Sequence, residues 1–274
     1  FFAGYLISKD PKFCEILLFG DEYMERRALG PVPDDFLANI PNAKNMNPSQ
    51  KQAIYLASKE RILLIHGPPG TGKSTTAMEI VGYFLRTGKA KKILITSPSN
   101  TVACHLREKC EKFGVEVCQL TAFLHADLIK SPNTMAGKID KHIRDYPLSA
   151  VAEARKYYNA NRSYPVALQK YRTAEDKIKR QILGESKIII CTFFMACDRS
   201  LEGMEFDLIV CDEVTQSTEP DVLGPISYAA PHIVLLGDHK QLAPTVINQI
   251  AGENGLSVSL FERLFNKLPT VQLD

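Results

Sequence analysis

The stretch HGPPGTGKST, residues 66 to 75, lies between the apolar run Ile62–Ile65 and TAMEIVGYFLRTG, in which Met78, Ile80, Val81, Phe84 and Leu85 recur at helical spacing. A short, uninterrupted apolar run reads as a strand buried on both faces. Gly88 stands where a helix starting near Lys73 would stop. The glycine- and proline-rich stretch is then the turn between a buried strand and a helix N-terminus. It satisfies G-x-x-x-x-G-K-[ST] through Gly67, Gly72, Lys73 and Ser74. Glycines let backbone N–H groups turn inward around an anion, and the helix end adds about half a positive charge. Lysine and serine at this spacing supply an ammonium for the β- and γ-phosphates and a hydroxyl for Mg2+. An ordinary glycine-rich βα turn is the alternative; the flanking strand and helix favour the phosphate loop. The stretch predicts an ATP site whose nucleotide-binding residues are Gly67, Gly70, Thr71, Gly72, Lys73, Ser74 and Thr75.

Working outward, further short apolar runs read as parallel strands: Ile93–Thr96, Ile188–Thr192, Leu208–Cys211, Ile233–Leu236 and, more weakly, 115–120. Helical stretches lie between most of them. One begins at Asn47-Pro48, asparagine as cap and proline at the first helical position; another runs from about Asn100 to residue 113. The alternation predicts a three-layer α/β domain with a mostly parallel sheet. Residues 126–185 contain no convincing strand. Ile139, Ile143, Leu168, Tyr171, Ala174, Ile178 and Ile182 instead suggest amphipathic helices, an insertion between two strands. CEILLFG (14–20) fits either a strand or a short helix, and the proline-rich 30–42 reads as a connector.

A phosphate loop needs a second carboxylate for its metal. FDLIVCDEVTQ places Asp212 and Glu213 at the C-terminal end of a strand, the sheet edge where ligands sit in such folds. Asp212, with Ser74, is the expected Mg2+ ligand, and Glu213 is placed to polarise the attacking water. A lone Asp-Glu would be a solvated strand end; the phosphate loop in the same chain tips the reading. After the next strand comes LLGDHKQLAPT. Gln241 is a neutral hydrogen-bonder suited to sensing a γ-phosphate. Asp238 and His239 could link it to the rest of the site, although His239 alone reads as a surface histidine. Catalytic roles are thus expected for Lys73, Glu213 and Gln241.

Composition adds boundaries. The 274 residues are 45% hydrophobic and 23% charged, and no apolar run approaches the ~20 residues of a membrane span. The chain opens on Phe1 without a signal-peptide pattern, and reads as a piece of a longer protein. Seven scattered cysteines without C-x-x-C favour reduced thiols over disulfides or zinc. They point to the cytoplasm, with the nucleus as the alternative. Net charge is +2 but uneven: residues 126–185 hold 12 Lys and Arg against 7 Asp and Glu, and five of the ten tyrosines. Basic and aromatic side chains together suit phosphates and stacked bases, or merely a solvated face over packed helices.

GPPGTGKST, TSPSNTVA (96–103), IIICTF (188–193), DEVTQSTEP (212–220), GDHKQLAP (237–244) and SLFERL (259–264) occur in that order. Together they resemble the first RecA-like domain of superfamily 1 helicases, over about residues 47–264. Within that superfamily they look like the up-frameshift-like branch of RNA surveillance helicases. NPSQKQA (47–53) resembles the branch's adenine-reading motif, with Gln50 as reader, and SPNTMAGKIDKHIRD (131–145) is similar to the surveillance helicase itself. The resemblance implies an ATP-dependent 5′→3′ helicase, acting in nonsense-mediated decay, that moves along single-stranded RNA or DNA. It places Pro98, Ser99, Asn100 and Thr192 on the nucleic-acid track, with surveillance-complex proteins as partners. It also implies three regions: a connector and trailing end of an upstream subdomain (1–46), the RecA-like ATP-binding domain (47–125 and 186–274), and the helical insertion (126–185). The chain departs from the family pattern in stopping before the Gln-Tyr-Arg-Met motif and second RecA-like domain. It also lacks the family's zinc module and, beyond residues 1–20, its β-barrel. Other readings are a P-loop kinase or metabolic ATPase, and an RNA-binding scaffold gated by ATP.

Overall fold

Residues 10–20, 31–112, 114, 116–122 and 131–274 are described in the structure, a computed structural model. Among them, seven strands form one sheet: β1 (Ile62–His66), β2 (Ile93–Ser97), β3 (Val117–Gln119), β4 (Ile188–Thr192), β5 (Leu208–Cys211), β6 (His232–Gly237) and β7 (Thr270–Gln272). Their order is β3-β4-β2-β5-β6-β1-β7, and every pairing is parallel. Among the described residues the sheet is therefore wholly parallel, more uniform than the mostly parallel sheet expected. β7 was not expected: Thr-Val-Gln is too short, and too poor in apolar residues, to announce a strand.

Alternation along each strand sends successive side chains to opposite faces. Leu63, Ile65, Ile93, Ile95, Val210 and Val234 face helices α2 (Pro48–Ala57), α3 (Lys73–Arg86) and α4 (Asn100–Lys112), as part of one buried cluster. Ile62, Leu64, Leu94, Ile189, Ile209 and Leu235 belong to a second cluster on the other face. There they meet α1 (Pro11–Leu18), α8 (Glu219–Ile226) and α9 (Leu260–Leu264). The ambiguous run at 14–18 thus belongs to a helix, capped by Asp10, whose side chain accepts from Phe13 N at 2.9 Å. Arg263 grips Glu219 with two bonds of 2.7 and 2.8 Å and donates to Leu17 O at 3.0 Å, tying α9, α8 and α1 together. Residues 1–9, and with them half of the stretch expected to trail an upstream β-barrel, lie outside the described residues.

The insertion is helical: α5 (Met135–Asp145), α6 (Ala150–Ala160) and α7 (Pro165–Glu185); residues 126–130 lie outside the described residues. Met135, Ile139, Val151, Ile178 and Ile182 share the second core cluster with the sheet residues Cys118 and Ile189. The tyrosines divide. Tyr171 is buried and stacks on Tyr158 at 5.6 Å with planes 7° apart, while Tyr146, Tyr157 and Tyr164 are exposed. Arg155 donates to the Tyr171 hydroxyl at 3.0 and 3.2 Å and pairs with Asp140; the hydroxyl in turn donates to Glu175 at 2.8 Å. No described helix is long and apolar enough to cross a membrane.

Candidate nucleotide site

The turns after β1, β2, β4, β5 and β6 leave the sheet on the same edge, because all the strands run parallel. Apart from Gln50, which lies on α2, the expected site residues sit at these strand ends, on the turns or at the helix starts that follow them. Gly70 and Gly72 take φ of +87° and +83°, a left-handed conformation that costs other residues about 1 kcal/mol or more. Gly72 caps α3, and a Cβ there would lie 2.7 Å from Gln50 Nε2. Gly67 is closed in as well: a Cβ would lie 2.5 Å from Thr71 Oγ1. Lys73 is buried, and its ammonium donates to Gly67 O at 2.7 Å. The Ser74 hydroxyl donates to Asp212 Oδ2 at 3.3 Å, so the two expected metal ligands, 138 residues apart, meet. A hydroxyl beside a carboxylate, with no sulfur, is a donor set that fits Mg2+. Thr75 is exposed at the start of α3.

Asp212 is 1% exposed. Burial first, and then the neighbouring Glu213 charge, push its carboxyl up to about 6, against the Glu213 N–H and Ser74 bonds that favour the anion. Glu213 holds φ +53°, ψ +41°, a conformation few non-glycine residues adopt. Strain of this kind costs of order 1–3 kcal/mol and clusters at functional sites. Its carboxylate accepts from Gln216 Nε2 at 3.1 Å.

Gln50 is engaged at both ends. Its Oε1 accepts from Asn47 N at 3.2 Å in a capping box, and its Nε2 donates to Thr71 O at 3.1 Å. The expected base reader is thus bolted to the phosphate loop. Asn47 Nδ2 also donates to Asp274 O at 2.8 Å, which ties this turn to the residues just after β7.

Pro98, Ser99, Asn100 and Thr192 come together at the ends of β2 and β4, where Ser97 pairs with Thr192 and Phe193 N donates to Ser97 O at 2.9 Å. The Ser99 hydroxyl accepts from Val102 N at 3.3 Å, and the Thr192 hydroxyl from Met195 N at 3.2 Å. Two of the four expected nucleic-acid contacts therefore already cap local turns. Phe194, beside them, is exposed.

Gln241 donates to Asp238 Oδ2 at 2.8 Å. His239 is not the surface residue expected from its loop. It is half-buried, with its ring 4.2 Å from Phe265 and 4.7 Å from His66. Nor does it provide the link to the phosphate loop. His66 does, with Nε2 3.0 Å from Asp238 Oδ1. Burial would raise the Asp238 carboxyl, but bonds from Gln241, Lys240 N and His66 together hold it below the usual range. His66 is held below its usual value, chiefly by burial, against the Asp238 bond. His66 and Thr215, whose hydroxyl accepts from Asp238 N at 3.4 Å, were not singled out from the sequence. The signal for His66 was its place as the last β1 residue, in register with Gly237.

Of the seven cysteines, five are buried and all are free, and no described group of His, Cys, Asp or Glu could hold a metal on its own. The family model of the AAA domain matches residues 45–135 and 124–249. ATP-dependent helicase NAM7 of Saccharomyces cerevisiae is 34% identical over 96% of the chain, and ATP-dependent helicase upf1 of Schizosaccharomyces pombe 31% over 85%. Regulator of nonsense transcripts 1 homolog of Drosophila melanogaster is 35% identical over 86%. The chain spans 26%, 26% and 20% of these relatives' lengths. With more than half of its residues inside the family model, the chain belongs to the AAA domain family, and its likeness to the up-frameshift-like helicases runs through most of its length.

Proposed function

We propose that the chain is the ATP-hydrolysing first motor domain of an RNA-surveillance helicase that moves 5′→3′ on single-stranded RNA or DNA. The observation that carries this is the meeting of four separate motifs at one sheet edge, with Ser74 3.3 Å from Asp212. Lys73 would leave the Gly67 carbonyl for the β- and γ-phosphates, and the α3 N-terminus would receive their charge. Ser74 and Asp212 would hold Mg2+, which would supply positive charge against the charge that develops on the phosphates. Glu213, set apart by its left-handed backbone, would orient and deprotonate the attacking water. Gln241 would report whether the γ-phosphate is present. Gln50 would meet the base, and the cluster at Pro98, Ser99, Asn100 and Thr192 the nucleic-acid backbone.

An arginine that stabilises the transition state would come from a second RecA-like domain of the same protein. Such residues are worth about 10³ to 10⁵ in rate, so the chain alone would turn ATP over slowly. ATP hydrolysis by the full-length protein, measured with and without single-stranded RNA, tests the reading. Acceleration by RNA is expected. Turnover indifferent to RNA would favour a kinase or metabolic ATPase, and RNA binding without turnover a scaffold.

A further inference from the structure

We infer that His66 is a positioning residue for the γ-phosphate-sensing Gln241, acting through the Asp238 carboxylate the two side chains share. The inference rests on the ATP-site reading above and adds to it a residue outside the phosphate-loop consensus.

His66 closes β1 and Asp238 follows β6. The two strands are paired to their ends, His66 opposite Gly237, with Gly67 N donating to Gly237 O at 3.3 Å. That register brings both side chains into one buried place; His66 is 2% and Asp238 3% exposed. Asp238 Oδ1 takes His66 Nε2 at 3.0 Å and Lys240 N at 3.0 Å, and Oδ2 takes Gln241 Nε2 at 2.8 Å. A carboxylate only accepts, so each of these partners must present a hydrogen. His66 Nδ1 is buried and has no hydrogen-bond partner among the described residues. Its partners thus assign the Nε2–H tautomer, with the lone pair on Nδ1. The ring cannot swing away, since His239 lies 4.7 Å and Phe265 5.2 Å from it.

The consequence falls on Gln241. An amide can turn either its oxygen or its NH2 toward a phosphate, and only the NH2 attracts. Asp238 fixes the choice by holding one Nε2 hydrogen and leaving the other free. Asp238 can do so only while its own plane is fixed, and His66 supplies the bond from the far side. His66, 2% exposed, acts through Asp238.

Two substitutions separate positioning from mere support. Glutamine carries an amide N–H near where histidine carries Nε2–H, whereas asparagine falls short, near Nδ1. Affinities for ADP and for a non-hydrolysable ATP analogue, each with Mg2+, would be measured by titration calorimetry. Wild type and His66→Gln should prefer the analogue equally. His66→Asn should lose about tenfold of that preference, the scale of one hydrogen bond to a charged group, while keeping ADP affinity. In a Gln241→Ala background, His66→Asn should change the preference no further. A purely structural His66 would instead lower melting temperature and both affinities together, and that result, or an unchanged preference in His66→Asn, overturns the inference. Should His66→Asn not fold, Asp238→Asn, which removes the shared carboxylate at constant volume, must show the same selective loss. A wild-type chain that binds neither nucleotide would overturn the ATP-site reading itself, and this inference with it.

Discussion

The nucleotide edge and the helical insertion contrast in how they keep their charges. At the edge, Lys73, Asp212 and Asp238 are buried, held by loop carbonyls, backbone N–H groups and the side chains of Ser74, His66 and Gln241. In the insertion, Lys156, Lys170, Arg172, Lys177 and Arg180 are all exposed, while the Arg155–Tyr171–Glu175 network goes inward and Lys138, half-buried, pairs with Glu116 at 2.8 Å. Burying a charge is costly unless it is paired, whereas a solvated lysine costs nothing. The edge therefore holds charges in fixed places, as chemistry on a phosphate requires. The insertion offers a solvated basic surface over an ordinary apolar core.

Lys73→Ala gives the contrast its largest expected effect. It removes the edge's ammonium and at least two charge-assisted bonds to phosphate, each worth about 1.5 kcal/mol or more. Affinity for an ATP analogue with Mg2+ should drop by about a hundredfold or more in calorimetry, with the circular dichroism spectrum unchanged. Wild-type affinity in the folded variant would mean the buried lysine serves only its own loop.

Tyr171→Phe is the matching cut in the insertion. It deletes the hydroxyl that Arg155 and Glu175 share and leaves Glu175, 8% exposed, with Lys179 at 3.0 Å. A lost bond to a charged group costs about 1–3 kcal/mol. Chemical denaturation should show a loss of that size, and nucleotide affinity should stay within error. A change in nucleotide affinity would show that the two regions are coupled and the contrast is drawn too sharply.

Much of this was legible in the sequence, for a physical reason. The phosphate loop, Asp212-Glu213 and Gln241 each lie in a few consecutive residues at a strand end, so local pattern found them. Strands β1, β2, β4, β5 and β6 were read to within a residue or two, because all are continuous apolar runs buried on both faces. β7 was invisible, its only large apolar residue being Val271. The sequence shows no task for His66, because its partner is 172 residues away and the β1–β6 register brings them together. The amphipathic residues of the insertion were legible too, yet not that they share a core with the sheet. Excising residues 131–183 would therefore open that core, and charge substitutions are the cleaner probe.

In the full-length protein, changing Lys156, Lys170 and Arg172 together to glutamine leaves the packed face alone. If all three meet phosphates, the dependence of log affinity for single-stranded RNA on log salt should flatten by about 2, from roughly 0.7 per contact. Nucleotide affinity without RNA should not move. An unchanged slope would make the basic face a solvated surface and no part of the track.

The smallest effect concerns pH, and it asks whether the edge's buried histidine is neutral. His66 is faced by Asp238, His239 and Lys240, and burial outweighs the Asp238 bond in holding its folded pKa below the ordinary value near 6.5. As pH falls through about 6.5 the unfolded chain takes up a proton that the folded chain refuses, so stability is full above that pH and declines below it. Asp238, held low, stays ionised throughout this window and does not reverse the sign. Wild type should thus lose stability between pH 7.5 and 5 more steeply than His66→Gln, by at most about 1.4 kcal/mol per pH unit. His232, also held low by burial, is common to both chains and cancels in the difference. Denaturation curves of the two proteins at several pH values measure it. A wild type that gains on the variant in acid would mean that His66 is protonated in the fold, and Asp238 would then answer to an ion pair instead of a neutral N–H; parallel curves would mean that the fold leaves the titration of His66 unchanged and that burial does not outweigh the Asp238 bond.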